Sequence, residues 1–443
     1  MASLRASRSI RRLVPRIGAL DLKCGLAGGA GPSNVSAIAR DAQSGAGGRH
    51  FSATTGKDSS QVWDAGSQQF HGGQDWAHLS NFVEDFSVTT NALGTPTRAL
   101  ERARAAVSTV HHYPPADFEP AISDLASWLW PPGQSHLADG GSAADADGRS
   151  KLLLGNGASE LIDLVMRDRF PPEAEQMPGE RLWKPASTNG LQYKEYERSA
   201  KAAGFKVVPH DHPHASVTCF VNPNNPTGEY YKVVELKKMI ETICSPGSHV
   251  IVDESMQPWV GPDWREDSLL TQQEWVSEML EKHGTHVFIM HSWTKIWSCT
   301  GIRLGSVVAP SPMVAQRIKA RQVPWSVNTM ALEFLSEVVK DDDYMRRTWD
   351  LTPKWRQHTA DEISSKFPSW TIHGKSFLSW LWVDTGDEGV AAEAVSLAKA
   401  AGTPVRHGAP GYNMTTMVRV AVREPLHLHT LLAAWEPLRN SHG

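Results

Sequence analysis

Across 443 residues no run of eighteen or more apolar side chains occurs, so no segment reads as a helix spanning a bilayer. Cysteine is scarce. Cys24, Cys219, Cys244 and Cys299 lie far apart and form no Cys-x-x-Cys pair, which argues against structural zinc and against a disulfide framework. No internal repeat is present. Acid is missing from the first twenty residues, MASLRASRSIRRLVPRIGAL, which carry five arginines. A basic excess is missing everywhere else: outside residues 1–51, 36 Lys/Arg face 46 Asp/Glu. A body this acidic has no general attraction for nucleic acid or an anionic membrane surface, so an anionic ligand needs local donors.

The arginine-rich, acid-free start reads as an organelle presequence over residues 1–51, mitochondrial before plastid, with Arg49-His50-Phe51-Ser52 resembling a presequence cleavage site. Residues 22–60 are rich in Gly, Ala and Ser, and 52–70 read as linker. Order is expected to begin at His71. Residues 71–114 are assigned to an N-terminal arm and part of a small domain, 115–323 to a large domain and 324–443 to a small C-terminal domain. The small, polar stretch 136–150 reads as a surface insertion.

With 40% hydrophobic and 21% charged residues, the remainder has ordinary globular composition. Short apolar runs at 151–154, 217–221, 249–252, 286–290 and 306–309 read as buried strands. Helix-period spacing at 161–166 and 233–243 separates such strands. That alternation predicts an α/β domain with a mainly parallel sheet. Beyond residue 325 a long helical stretch precedes strand-like runs at 377–383 and 417–422, as in a second, smaller α+β domain.

Four motifs follow one another, each at the C-terminal end of a predicted strand, where open α/β sheets bind ligands. They are Gly155-Asn156-Gly157-Ala158-Ser159, the Asn222 to Gly228 run NPNNPTG, Asp253-Glu254-Ser255, and Ser292-Trp293-Thr294-Lys295 with Arg303 eight residues on. Each alone is unremarkable turn or cap chemistry. Together they supply what pyridoxal phosphate requires. Lys295 is the amine that joins the aldehyde and moves the proton at the substrate's α-carbon. Asp253 keeps the pyridine nitrogen protonated, so that the ring accepts electrons. Asn225 donates to the phenolic oxygen. The N–H groups of Gly157, Ala158 and Ser159 at a helix N-terminus, with Ser292 and Arg303, cradle the phosphate.

These motifs resemble the fold-type-I pyridoxal-phosphate enzymes, the class I/II aminotransferase superfamily, from His71 to the C-terminus. The resemblance implies a large domain with a mainly parallel seven-stranded sheet, a smaller α+β domain, and a homodimer with active sites at its interface. It makes Tyr193 the aromatic that stacks on the cofactor ring and Tyr113 the tyrosine that reaches the phosphate of the neighbouring subunit's cofactor. Two branches fit. His71-Gly72-Gly73, the Tyr193 to Arg198 run, Pro324 to Asn328 and Arg419 to Arg423 resemble threonine-phosphate decarboxylase. Histidinol-phosphate aminotransferase shares the Asn91 to Gly94 and Tyr113-Pro114 elements. By the decarboxylase likeness, His71 and Arg406 contact the substrate phosphate and Arg419 the carboxylate. Arginine's fork suits both anions.

Met256 departs from the pattern, since it cannot donate as the aminotransferases' tyrosine does there. Thr89 and Gln192 also differ from it. Decarboxylation of a phosphorylated or dianionic amino acid therefore leads the reading at this level, with amino transfer as the alternative and a non-catalytic binding protein as a third. Glu254 should face away from Asp253, because neighbouring strand residues alternate sides. The His210 to His214 run lacks zinc-type spacing and reads as a solvated loop, so no metal is assigned. The 17 tryptophans read as core and interface packing.

Overall fold

A computed structural model of the chain describes residues 72–131, 148–169 and 180–440. The presequence, the linker, His71 and most of the 136–150 insertion lie outside them. All described residues belong to one compact unit, residues 63–443.

Seven strands form the larger sheet: β1 (Leu152–Asn156), β2 (Leu182–Pro185), β3 (Lys206–Val207), β4 (Val217–Val221), β5 (His249–Asp253), β6 (His286–Ser292) and β7 (Leu304–Val308). Their order is β1-β7-β6-β5-β4-β2-β3. The pairs β2/β3, β2/β4, β4/β5 and β5/β6 are parallel, whereas β7 runs antiparallel to both β6 and β1. Six strands therefore point one way and β7 the other. The near-continuous apolar runs of β5 and β6 are explained by burial on both faces. Val250, Val252, Val287 and Ile289 enter one core layer, while Ile251, Phe288 and Met290 enter the other, the period-two alternation of a strand. Helix Ala158–Asp168 seals the second layer with Leu161, Ile162 and Val165. Helix Val233–Ile243 seals the first with Leu236 and Ile240.

A four-stranded antiparallel sheet of order β10-β11-β9-β8 contains β8 (Thr371–His373), β9 (Trp380–Asp384), β10 (Arg406–His407) and β11 (Met417–Ala421). It has its own core, where Leu381, Val383, Val418 and Val420 meet Ile363, Ala394 and Leu431 from helices Asp342–Lys366, Glu388–Ala400 and Pro425–Trp435. Each fully buried aliphatic side chain of this kind contributes roughly 1.5–3 kcal/mol. The strands read at 377–383 and 417–422 are β9 and β11. The short β8 and β10 flank them.

Candidate active site

Because β1, β4, β5 and β6 run in one direction, their C-terminal ends, Asn156, Val221, Asp253 and Ser292, lie along one edge of the sheet. The reversed β7 starts at that same edge, directly after Arg303. Topology alone thus joins motifs spread over 150 residues. A cavity of about 80 Å³ is lined there by Ala158, Ser159, Tyr193, Asn225, Asp253, Ser292, Lys295 and Arg303, with Thr89 and Met256 beside them.

Glycine is required where the first motif turns into its helix. Gly157 has φ +74°, and a Cβ there would stand 2.3 Å from Nη2 of Arg303. Gly305 on β7 allows a second close approach, since its Cβ would lie 2.3 Å from the Ala158 nitrogen. Absent side chains let the guanidinium and the strand close on the helix N-terminus. No side chain caps helix Ala158–Asp168, so its leading N–H groups face the cavity uncommitted. The Ser292 and Thr294 hydroxyls are 2.9 Å apart at its rim.

Lys295 stands in the short helix Trp293–Ile296, and its Nζ donates to Thr294 Oγ1 at 3.0 Å. Burial lowers its pKa to about 8, and the nearby Arg303 guanidinium adds to this. About a tenth of the amine is therefore neutral at pH 7, against well under a thousandth at the ordinary lysine value. Asp253, at the end of β5, accepts from the Tyr196 hydroxyl at 2.7 Å and from the Ser255 N–H at 2.8 Å. Burial raises its pKa, opposed by those hydrogen bonds and by Lys295. Its hydrogen bonds hold the carboxylate in place, and a cation beside it would restore its charge. Glu254 points the other way, accepting from the Ser268 hydroxyl and from the Leu269 N–H at 2.9 Å.

Arg419 on β11 is buried and donates through Nη1 to Asn225 Oδ1 at 2.6 Å and through Nη2 to the Ser87 carbonyl at 2.7 Å. A guanidinium carries only donors. Asn225 must therefore offer it the amide oxygen, which leaves the Asn225 nitrogen to donate elsewhere. Nε of Arg419 is buried with no hydrogen-bond partner, and no carboxylate among the described residues forms an ion pair with it. Burial lowers its pKa to about 10. Arg406 is in register with Arg419 across β10 and β11, so both stems leave the same face of the small sheet. Its Nη2 donates to the Pro410 carbonyl at 3.3 Å.

Tyr113 does not line this cavity. It is 77% exposed and stacks on Trp325 with ring centroids 4.3 Å apart. The sequence reading overlooked Tyr196 and Ser255, which fix Asp253. Tyr193 precedes helix Glu195–Ala202 and Tyr196 lies in its first turn, with ring centroids 6.2 Å apart, so the Tyr-x-x-Tyr spacing was the one trace of Tyr196 in the sequence.

Residues 83–425 match the family model "Aminotransferase class I and II". Among curated relatives, the chain is 25% identical over 340 residues to histidinol-phosphate aminotransferase of Hyphomonas neptunium, covering 75% of this chain and 84% of that one. It is 24% identical over 341 residues to histidinol-phosphate aminotransferase 2 of Pseudomonas aeruginosa, covering 76% and 83%. The fold resembles that of histidinol-phosphate aminotransferase from Sinorhizobium meliloti solved in complex with pyridoxal-5'-phosphate (TM-score 0.65, 15% identity, 87% of this chain and 96% of that one). It also resembles L-threonine-O-3-phosphate decarboxylase from Porphyromonas gingivalis (TM-score 0.61, 17% identity, 80% and 99%).

Proposed function

The chain belongs to the class I and II aminotransferase family, and on that premise we propose that it moves an amino group between a phosphorylated amino compound and a 2-oxo acid. The family's cofactor is pyridoxal phosphate, and the residues of the cavity fit it. The uncommitted N–H groups at Ala158 and Ser159, with Ser292 and Arg303, suit its phosphate, while the Gly157 N–H is held by the Gly155 carbonyl at 2.8 Å. The buried carboxylate of Asp253, lacking a cation in ion-pair contact, suits a protonated ring nitrogen. Tyr193 would cover the ring, and the Asn225 amide would donate to its phenolic oxygen. When bound, the cofactor supplies an aldehyde that joins amines and a cationic ring that accepts electrons from a breaking bond at the substrate's α-carbon.

Lys295, kept partly neutral by burial, serves as nucleophile and then carries the α-proton. Arg419 takes the carboxylate of the amino acid or 2-oxo acid, and Arg406 and His71 the substrate phosphate. One observation carries this allocation: Arg419 is a buried guanidinium with an unused N–H and no acid paired to it. The names of the curated relatives weigh for amino transfer. Met256 in the cavity wall favours the second reading, decarboxylation, because the side chain at that position cannot donate a hydrogen bond. Histidinol phosphate plus 2-oxoglutarate should yield glutamate with the purified protein. Carbon dioxide from threonine phosphate, with no glutamate, would replace the first reading by the second.

A homodimer is part of the same proposal, supported by the exposed Tyr113 and Trp325 pair with Val110 and Val323 also exposed. Sedimentation of wild type and Trp325→Asp tests it, with a monomeric wild type as the adverse result. Residues 1–51 are proposed as a mitochondrial address, or else a plastid one. Imaging a fusion of that segment to a fluorescent protein decides between the organelles, and a cytosolic signal rejects both.

A further inference from the structure

Resting on this cofactor reading, we propose that Arg356 is a positioning residue: from the long helix of the small domain it sets the place of Asn225 in the cavity without reaching the cavity itself. Arg356 lies in helix Asp342–Lys366 and is buried. Its Nε donates to the Trp380 carbonyl at 3.1 Å, and its Nη2 to the His373 and Gly374 carbonyls at 2.9 and 3.0 Å. Among the described residues no carboxylate pairs with it, and burial lowers its pKa to about 10. A buried cation satisfied by three carbonyls is costly unless the geometry it enforces is used.

Those carbonyls belong to the end of β8, the start of β9 and the connection between them, so one fork ties both sides of the hairpin. The hairpin presses on the loop that carries Asn225. The Trp380 indole donates to the Pro226 carbonyl at 2.8 Å, and Trp380 is fully buried. Gly374 meets Gly228 so closely that a Cβ on Gly228 would stand 2.5 Å from the Gly374 Cα. Contacts at residues 226 and 228 thus bracket the turn just after Asn225. Within that turn Gly228 N donates to the Asn224 carbonyl and Asn224 N to the Glu229 carbonyl, both at 2.8 Å. From the other side Arg419 holds the Asn225 oxygen. Arg356 supplies the fixed end of this chain of contacts.

Lysine at 356 keeps the charge but loses the planar fork. Trp380→Phe keeps most of the volume and removes only the indole N–H. In the apo chain, Arg356→Lys should speed hydrogen exchange of the Asn224 and Gly228 amides by about tenfold, leaving β4 and β5 unchanged. In the loaded enzyme the pH midpoint of the cofactor's visible absorbance should rise, because a donor to its phenolic oxygen is displaced. Turnover should fall with little change in KM. Trp380→Phe should reproduce each effect, and the double variant should be no worse than the stronger single one. Unchanged exchange in the loop, equal acceleration in β4 and β5, or additive losses in the double variant would overturn the proposal. Wild-type protein that takes up no pyridoxal phosphate would overturn the functional reading instead, while exchange in the apo chain would still decide the role of Arg356.

Discussion

The two edges of the seven-stranded sheet treat charge in opposite ways. At the edge where β5 begins, Asp168 is buried and fully paired. Arg317 donates to it at 2.7 and 2.6 Å, Arg321 at 2.7 Å, and His249 Nε2 lies 3.3 Å away. The arginine hydrogen bonds hold its carboxyl well below the usual range despite its burial. At the opposite edge, Lys295 and Arg303 line one cavity with a single carboxylate, Asp253, Arg419 reaches its wall through Asn225, and none of the three forms an ion pair with that carboxylate. One edge is electrostatically finished; the other is finished only by an anionic ligand. The same strands run through both, so the difference marks which edge is a site and which is scaffold.

Substitution at Lys295 should separate the two edges most sharply. Lys295→Met should lower turnover by about 10³-fold or more, yet make the apo protein more stable at pH 7, by on the order of 2 kcal/mol. The sign follows from linkage. The folded pKa of about 8 lies below the unfolded value of 10.5, so unfolding takes up a proton between those pH values. The penalty is therefore complete below pH 8 and disappears as pH rises toward 10.5. Thermal melts of both proteins from pH 7 to 10.5 should converge, and a variant less stable at pH 7 would contradict this account.

Asp168→Asn should do the reverse, costing about 3–5 kcal/mol while turnover per folded molecule stays unchanged. Because the native carboxyl is depressed, the stabilisation is present above the unfolded pKa near 4 and is lost as pH falls further. Urea titrations at pH 7 and pH 3 should show the gap narrowing on acidification. A large loss of turnover would mean that the paired edge is not scaffold alone.

The smallest effect is expected for Tyr196→Phe, which removes one hydrogen bond from Asp253. A loss of about tenfold in kcat/KM is expected, with the melting temperature little changed. Full activity would show that the Ser255 N–H alone holds the carboxylate.

Much of this arrangement could be read before any coordinates were at hand. Strands of four or more consecutive buried apolar residues announced themselves, and β4 and helix Val233–Ile243 were placed residue for residue. Turn motifs at strand ends carried the cofactor residues because the sheet's direction determines which ends converge. Other features left weak traces. β2 reads Leu-Trp-Lys-Pro, and its buried Lys184 is tolerable only because its ammonium reaches the His212 and Ile243 carbonyls at 2.9 and 3.0 Å. β10 has two residues, too few for any periodicity. The role of Tyr196 depends on helix phase, and that of Arg356 on three carbonyls, which have no side-chain signature. Arg406 and Arg419 were legible as types but not as neighbours, since their pairing is a matter of register.

The reversed direction of β7 also bears on assembly of the nascent chain. Among the described strands, β1 hydrogen-bonds only to β7, whose residues emerge some 150 positions later. Until that late segment is translated and threaded between β1 and β6, β1 and the glycine-rich turn it carries have no strand partner. A ribosome-bound fragment ending before residue 304 should consequently fail to capture the vitamin, and sheet closure should depend on this long-range pairing, which is slow to form.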